Sequence, residues 1–259
     1  MLDDIITTKQ EEIAQAKQRL PLDEVQRRAA SRIAERSFRR AVNVPGKLSL
    51  IAELKRKSPS RGMLRERFDP VSLAQTMQQA GAAALSVLTD EYYFGGSLEF
   101  LRDAKQFTEI PVLRKDFIVE PYQIYEAAIY EADAVLLIVR ILTPESLTEC
   151  LRAADLAGLE ALVEVHSEGE LNTAVQAGAA IIGINHRDLQ TFAIDPALAE
   201  RLVPRIPAGK TIVAESGIQS TADVKRMKQL GVHAVLIGEA LMRAPSPAAK
   251  IGELFAGTW

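Results

Sequence analysis

Cysteine is almost missing from this chain. With Cys150 alone among 259 residues, no intramolecular disulfide can form. Its setting, the helical pattern PESLTECLRAADLAG, assigns it the role of a small buried hydrophobe rather than a nucleophile. Histidine is scarce and scattered: His166, His186 and His233 stand in no ligand spacing, so no metal is expected. Aromatics are scarce where a nucleic-acid binder would need them. Residues 1–67 hold 16 Lys/Arg against 9 Asp/Glu, but Phe38 is their only aromatic, with Phe68 just beyond. Without stacking platforms or a groove-reading helix, no nucleic-acid partner is expected. The longest strongly apolar run, Ala134–Val139, is far short of a membrane span, which leaves no membrane partner either. The opening MLDDIITTKQEE carries acids where a signal peptide needs bases, and no apolar core follows, so a cytoplasmic location is expected. The GxGxxG and Walker lysine motifs are both missing, and no cofactor is expected.

What the chain does have is a repeat. Short apolar runs recur at Leu48–Leu54, Ala84–Leu88, Pro111–Leu113, Ala134–Val139, Ala161–Val165, Ile181–Ile184, Thr211–Ala214 and Ala234–Ile237. Runs of this kind read as strands of a parallel sheet buried on both faces. Helical patterns separate them, at 71–80, 98–107, 122–131, 144–157, 168–177, 196–202, 222–230 and 247–255. Several open with cap-like residues: Asp69-Pro70, Thr143-Pro144, Asp195-Pro196 and Ser220. Gly81, Gly158, Gly178 and Gly231 each stand just past a helix, about three residues before the next strand, where a left-handed residue is needed. Glu131 keeps that register without glycine.

Eight strands alternating with eight helices over short connections predict an α/β fold, a (β/α)8 TIM barrel, with residues 1–259 as a single domain. The alternative, a doubly wound open sheet, wants a glycine-rich first turn that is absent. Residues 1–45 precede the first strand. Ile5, Ile6, Ile13, Ala16 and Leu20 form a partly amphipathic pattern broken at Pro21, which predicts a helical extension closing one barrel mouth.

In such barrels reacting groups sit at the C-terminal strand ends. The predicted tips are rich in ionisable and polar groups: Glu53 and Lys55; Arg114, Lys115 and Asp116; Glu164 and His166; Asn185 and Arg187; Glu215 and Ser216. The strand starts are Ala, Pro, Thr and Leu. Strands seven and eight end in Glu215-Ser216-Gly217 and Ile237-Gly238-Glu239, where glycine lets backbone amides approach an anion, and the loops after these strands form the common barrel phosphate site. The basic loop residues Lys55, Arg56, Lys57 and Arg61 suit a small anionic substrate such as a phosphate ester. Phe94, Phe117, Leu136, Ile138 and Leu189 can form an apolar slot beside it. Burial and the charge on Lys55 are expected to lower the pKa of Lys115, with any nearby carboxylate opposing them.

IAELKRKSPSRG, FGGS, VLRKDFIV, LVEVH, GINHRDL, AESGI and LIGEALM occur in this order over nearly the whole chain, which resembles the indole-3-glycerol phosphate synthase family. One departure is His186, where members commonly carry a second asparagine. The resemblance implies a carboxy-lyase of tryptophan biosynthesis, within aromatic amino acid biosynthesis. It would close the indole ring of 1-(2-carboxyphenylamino)-1-deoxyribulose 5-phosphate, releasing CO2 and water without a cofactor. It implies Lys115 as general acid, Glu164 as general base of the dehydration, and Lys55 as a steering group with a possible proton-transfer role; which lysine gives the critical proton stays open. Glu53, Asn185 and Glu215 would hold the ribulose hydroxyls and Ser58 the substrate carboxylate. Arg187 would be a further substrate contact. Ser216, Gly217, Gly238 and Glu239 would cradle the phosphate. The expected assembly is a monomer, with a weak dimer as the alternative. Phosphoribosylanthranilate isomerase, which uses a strand-end cysteine and aspartate, is a competing barrel; a binding protein without catalysis is another reading.

Overall fold

Apolar runs of four to six residues can satisfy their backbone only by pairing with one another, and eight of them do so here by closing on themselves. The computed structural model describes residues 1–33 and 35–258. Its barrel strands are β1 Ser49–Leu54, β2 Ala84–Leu88, β3 Val112–Lys115, β4 Ala134–Ile138, β5 Glu160–Val165, β6 Ile181–Asn185, β7 Thr211–Glu215 and β8 Ala234–Ile237. All pairs are parallel. The sheet closes where Ile51 of β1 lies opposite both Leu236 of β8 and Ala84 of β2. Closure leaves no sheet edge exposed. The inward residues Ile51, Leu113, Leu136, Leu162, Val213 and Leu236 pack as an inner core, and the outward set packs under the helices.

The helices are α1 Leu2–Arg19, α2 Leu22–Ala29, α3 Phe38–Val42, α4 Pro70–Gln79, α5 Leu98–Gln106, α6 Tyr122–Ile129, α7 Pro144–Leu156, α8 Glu168–Gln176, α9 Leu198–Leu202, α10 Thr221–Gln229, α11 Glu239–Arg243 and α12 Pro247–Leu254. The side chains of Asp69 and Thr143 cap α4 and α7, each followed by proline, and Ser220 makes a capping box with Asp223 on α10. Gly81, Gly158, Gly178 and Gly231 all have positive φ, and Glu131 takes the same left-handed turn at φ 64°. Among the described residues no helix is long and apolar enough to cross a membrane.

Three expectations change. The helix predicted from Pro196 begins at Leu198, because the Asp195 carboxylate accepts the amide of Ala197 in a turn and pairs with Arg201. β3 runs two residues past Leu113, so strand alternation applies to Arg114 and Lys115 and sends them to opposite faces.

The third change concerns the extension, which serves both mouths. α3 closes the N-terminal end: Phe38 and Val42 pack into the inner core, Arg39 and Asn43 donate to Oγ1 of Thr211 at 3.2 and 3.0 Å, and the Arg39 amide donates to Glu160 at 2.8 Å. α1 lies over the opposite rim, where Lys9 is 2.9 Å from Asp90 and 3.1 Å from Asp116, just past β2 and β3. Burial alone would lower a lysine, but Asp116 and Asp90 outweigh it and hold Lys9 above its ordinary value.

Candidate active site

Side chains two apart on a strand share a face, so Glu53 and Lys55, Glu164, Asn185 and Glu215 leave their strands toward the barrel axis at its C-terminal mouth, together with Lys115. There they line one cavity. Lys115 Nζ lies 3.1 Å from Glu164 and 3.4 Å from Glu215, and Lys55 lies 2.5 Å from Glu53. The carboxylates of Glu53, Glu164 and Glu215 are all buried. Two glycines make room for them. A Cβ on Gly183 would stand 2.3 Å from Oε1 of Glu215, and one on Gly238 would stand 2.2 Å from Oε1 of Glu53.

Crowding three buried acids around one half-buried lysine sets their proton affinities apart. Burial would lower Lys115, but Glu164, Glu215 and Glu53 outweigh it and hold it well above its ordinary value. The expected lowering by burial and Lys55 is therefore reversed, because the three carboxylates together outweigh the cost of burial. Burial would raise Glu164, yet Lys115 and His166 keep it well below the usual carboxylate range. Burial pushes Glu215 up to about 8, helped by the charges of Glu164 and Glu53 against that of Lys115. One carboxylate is thus pushed down and its neighbour up, the pattern of paired groups with opposite acid–base tasks.

The apolar side of the cavity is the expected set. Phe94 and Phe117 stand with ring centroids 6.0 Å apart, and Leu136, Ile138 and Leu189 complete the wall. Leu2 and Ile5 of α1, together with Phe192 and Leu236, also line it. Ile5 stood in the amphipathic pattern, but periodicity cannot say which mouth a helix covers.

The polar rim holds Ser58, Arg187, Ser216, Gly217, Gly238 and Glu239. Ser216 and Gly217 have successive φ values of 63° and 74°, a sharp left-handed turn that can form a nest of backbone amides at the tip of β7. Arg187 and Arg61 each stand 3.3 Å from the carboxylate of Glu239. His186 does not reach the cavity; its Nδ1 lies 2.9 Å from the carbonyl of Glu215 and 3.2 Å from that of Ser216, bracing the turn from behind. Burial holds it neutral by lowering its pKa.

Not every charged tip serves the cavity. Arg114 turns outward to Glu126 and Asp116 at 2.9 and 3.0 Å. Asp116 spends its carboxylate on Lys9, Arg114 and Thr89, the last at 2.6 Å. Of the basic loop, Lys55 lines the cavity, Lys57 donates to the carbonyl of Tyr92 at 2.8 Å, and Arg56 is exposed. Cys150 is buried in α7, away from the strand tips, and burial pushes its thiol up to about 12.

The family model described as indole-3-glycerol phosphate synthase matches residues 2–254. A protein named indole-3-glycerol phosphate synthase from Carboxydothermus hydrogenoformans is 45% identical, over 98% of this chain and 99% of its own length. One of the same name from Syntrophobacter fumaroxidans is 46% identical, over 98% and 97%. Among solved structures, 3-hexulose-6-phosphate synthase from Salmonella typhimurium superposes with a TM-score of 0.65 at 17% identity, over 80% of this chain and 96% of that one. That likeness concerns the fold alone.

Proposed function

The chain belongs to the indole-3-glycerol phosphate synthase family, and from that premise we propose that the cavity binds 1-(2-carboxyphenylamino)-1-deoxyribulose 5-phosphate and closes its indole ring. It is a carboxy-lyase of tryptophan biosynthesis. The observation that carries the assignment of roles is Lys115, half-buried within 3.4 Å of two carboxylates and placed between an apolar slot and a glycine-bearing rim.

The phosphate goes to the nest of Ser216 and Gly217 and to the amides at Gly238 and Glu239, close to Arg187 and Arg61. The carboxyphenyl ring enters the slot of Phe94, Phe117, Leu136, Ile138 and Leu189, with its carboxylate toward Ser58 and Lys55. Glu53, Asn185 and Glu215 take the ribulose hydroxyls; a Glu215 that keeps its proton can donate as well as accept.

In the first step the ring carbon bearing the carboxylate attacks the ketose carbonyl carbon. The carbonyl electrons move to oxygen, which takes a proton from the ammonium of Lys55, the other lysine of the cavity. CO2 then leaves with its bond electrons returning to the ring, which restores aromaticity. The new hydroxyl departs as water with a proton from Lys115, and Glu164 removes the proton whose loss forms the second double bond of the indole. Lys115 is suited to the acid role because its neighbours keep it protonated, and Glu164 to the base role because its neighbours keep it ionised. The same reading takes the enzyme as a cytoplasmic monomer acting on a small anionic substrate.

The test is incubation of the purified chain with the carboxyphenylamino ketose phosphate, following the rise of indole fluorescence and the release of CO2. A folded chain that forms neither product would overturn the activity.

A further inference from the structure

His166 has no part in the roles just given, yet it stands against the proposed base. It follows β5, two residues after Glu164, and its ring is held between two carboxylates. Nε2 lies 3.2 Å from Oε1 of Glu164, and Nδ1 lies 3.1 Å from Oε2 of Glu170 on α8. Neither Nε2 nor that Oε1 has a hydrogen-bond partner among the described residues, so the 3.2 Å between them is an ion-pair contact of two otherwise unpartnered buried atoms. The other oxygen of Glu164 is the one beside Lys115.

The far side of the ring is anchored in turn. Oε2 of Glu170 accepts the His166 amide at 2.6 Å, and its Oε1 accepts from Arg140 at 2.9 Å. Arg140 also donates to Asp188 at 2.6 Å. Asp188 accepts the amides of Gln190 and Thr191 at 3.0 and 2.8 Å, which fixes the loop that carries Leu189 and Phe192 over the cavity.

We propose that His166 is a positioning residue for Glu164: as an imidazolium between Glu164 and Glu170 it fixes the outer oxygen of the base, leaves the oxygen beside Lys115 for the substrate, and ties the base through Arg140 to the loop over the apolar slot. This rests on the reading of Glu164 as general base. The physical reason for the imidazolium is donor count. A neutral imidazole has one N–H and one lone pair, so it would aim a lone pair at one of the two carboxylates; the charged ring offers an N–H to each. Burial opposes the charge, but Glu164 and Glu170 outweigh it and hold the ring up to about 9, above its ordinary value. The other charged groups around this unit are Lys115 on the cavity side, Arg140 beyond Glu170, and Glu168, Arg201 and Arg205 across a small outer cavity. Of these, Arg205 pairs with Glu168 and Arg201 with Asp195.

Two measurements test it. Nitrogen-15 NMR of the wild-type protein at pH 7.5 reads the ring directly: both nitrogens of His166 protonated is the expected result, and a neutral tautomer overturns the proposal even if a variant fails to fold. Kinetics of His166→Ala and His166→Asn read the consequence. In His166→Ala, kcat should fall roughly ten- to a hundredfold from a misplaced base while KM stays nearly constant. His166→Asn keeps a donor without the charge and should recover part of that rate. In both, the acid limb of kcat/KM should move to higher pH, because Glu164 has lost a positive neighbour. Wild-type kcat and an unmoved limb in both variants overturn the positioning role. Glu164→Gln separates the two readings: if it is as fast as wild type, the base assignment has failed, and if it is inactive beside wild-type His166 variants, only the role of His166 has failed.

Discussion

At the N-terminal end of the barrel, the buried carboxylate of Asp133 receives Lys105 at 2.7 Å, Arg32 at 3.1 Å and the amide of Val112 at 2.9 Å. At the C-terminal end, the equally buried carboxylate of Glu215 has no hydrogen bond on either oxygen among the described residues, and Lys115 is shared out among its neighbours. The two ends bury the same chemical groups. One satisfies them from within the chain, and the other leaves capacity that a bound molecule can use. Unsatisfied buried polar groups are costly, so their concentration at one mouth marks where stability has been given up for chemistry.

The largest effect expected at the reactive end is on rate. Lys115→Met keeps much of the side-chain stem but removes the proton, and Glu164→Gln keeps shape without the base. Each should lower kcat by roughly 10²–10⁴ while a product analogue still binds. Near-wild-type kcat in Lys115→Met would pass the acid role to Lys55; near-wild-type kcat in both would dissolve the mechanism.

At the other end the expected loss is in folding. Asp133→Ala leaves Lys105 and Arg32 without their buried partner, which should cost about 3–5 kcal/mol in urea unfolding. The folded fraction should keep its kcat. A fall in kcat would mean that the N-terminal end is not merely structural.

Glu215→Gln sharpens the comparison through pH. A carboxyl raised to about 8 in the folded state, against 4.5 as its ordinary value, binds more protons folded than unfolded between those limits. Stability therefore falls as pH rises from about 4.5 to about 8, and the full penalty stands above that window. Glu215→Gln removes this slope and should be the more stable protein at pH 9, by an amount that shrinks toward pH 5. His166, raised to about 9, loses stability in the same direction between pH 6.5 and 9, so the readout is the difference between variant and wild type. Parallel stability curves would show that Glu215 is ionised throughout.

The smallest effects come from a pair of glycines. Gly183→Ala forces aside the carboxyl of Glu215, a flexible tip, so the protein should fold and lose roughly ten- to a hundredfold in kcat. Gly178→Ala, at φ 87° in open space past α8, should cost about 1–2 kcal/mol for a left-handed alanine and leave kcat alone. If the two variants exchange phenotypes, the division between the ends is wrong.

Much of this is legible in the sequence. Eight apolar runs, glycine-marked helix exits and the clustering of charge at strand ends identified the barrel and its reactive mouth, because burial on both faces and left-handed turns impose local patterns on sequence. The strand-tip residues Lys115, Glu164, Glu53, Asn185 and Glu215 do converge on one cavity. The sequence and the structure part where the local pattern is silent. Arg114 and Lys115 are adjacent in sequence, and only the true length of β3 sends one outward to Glu126 and the other to the axis. Lys57 belongs to the same basic loop as Lys55 yet holds a neighbouring loop through Tyr92. Nothing around Leu2 or Lys9 indicated the rim they cover.

The sequence by itself determined the closed parallel barrel and the end at which chemistry could occur, since hydrophobic period, turn residues and strand-end composition act over a few neighbouring positions. Only the tertiary structure decided that Lys115 is raised rather than lowered, that Glu164 is shifted down and Glu215 up, and that the N-terminal extension serves both mouths. Those outcomes depend on distances between residues about 50 to 160 positions apart in the chain, and Coulomb and desolvation energies follow distance and burial rather than spacing along the sequence.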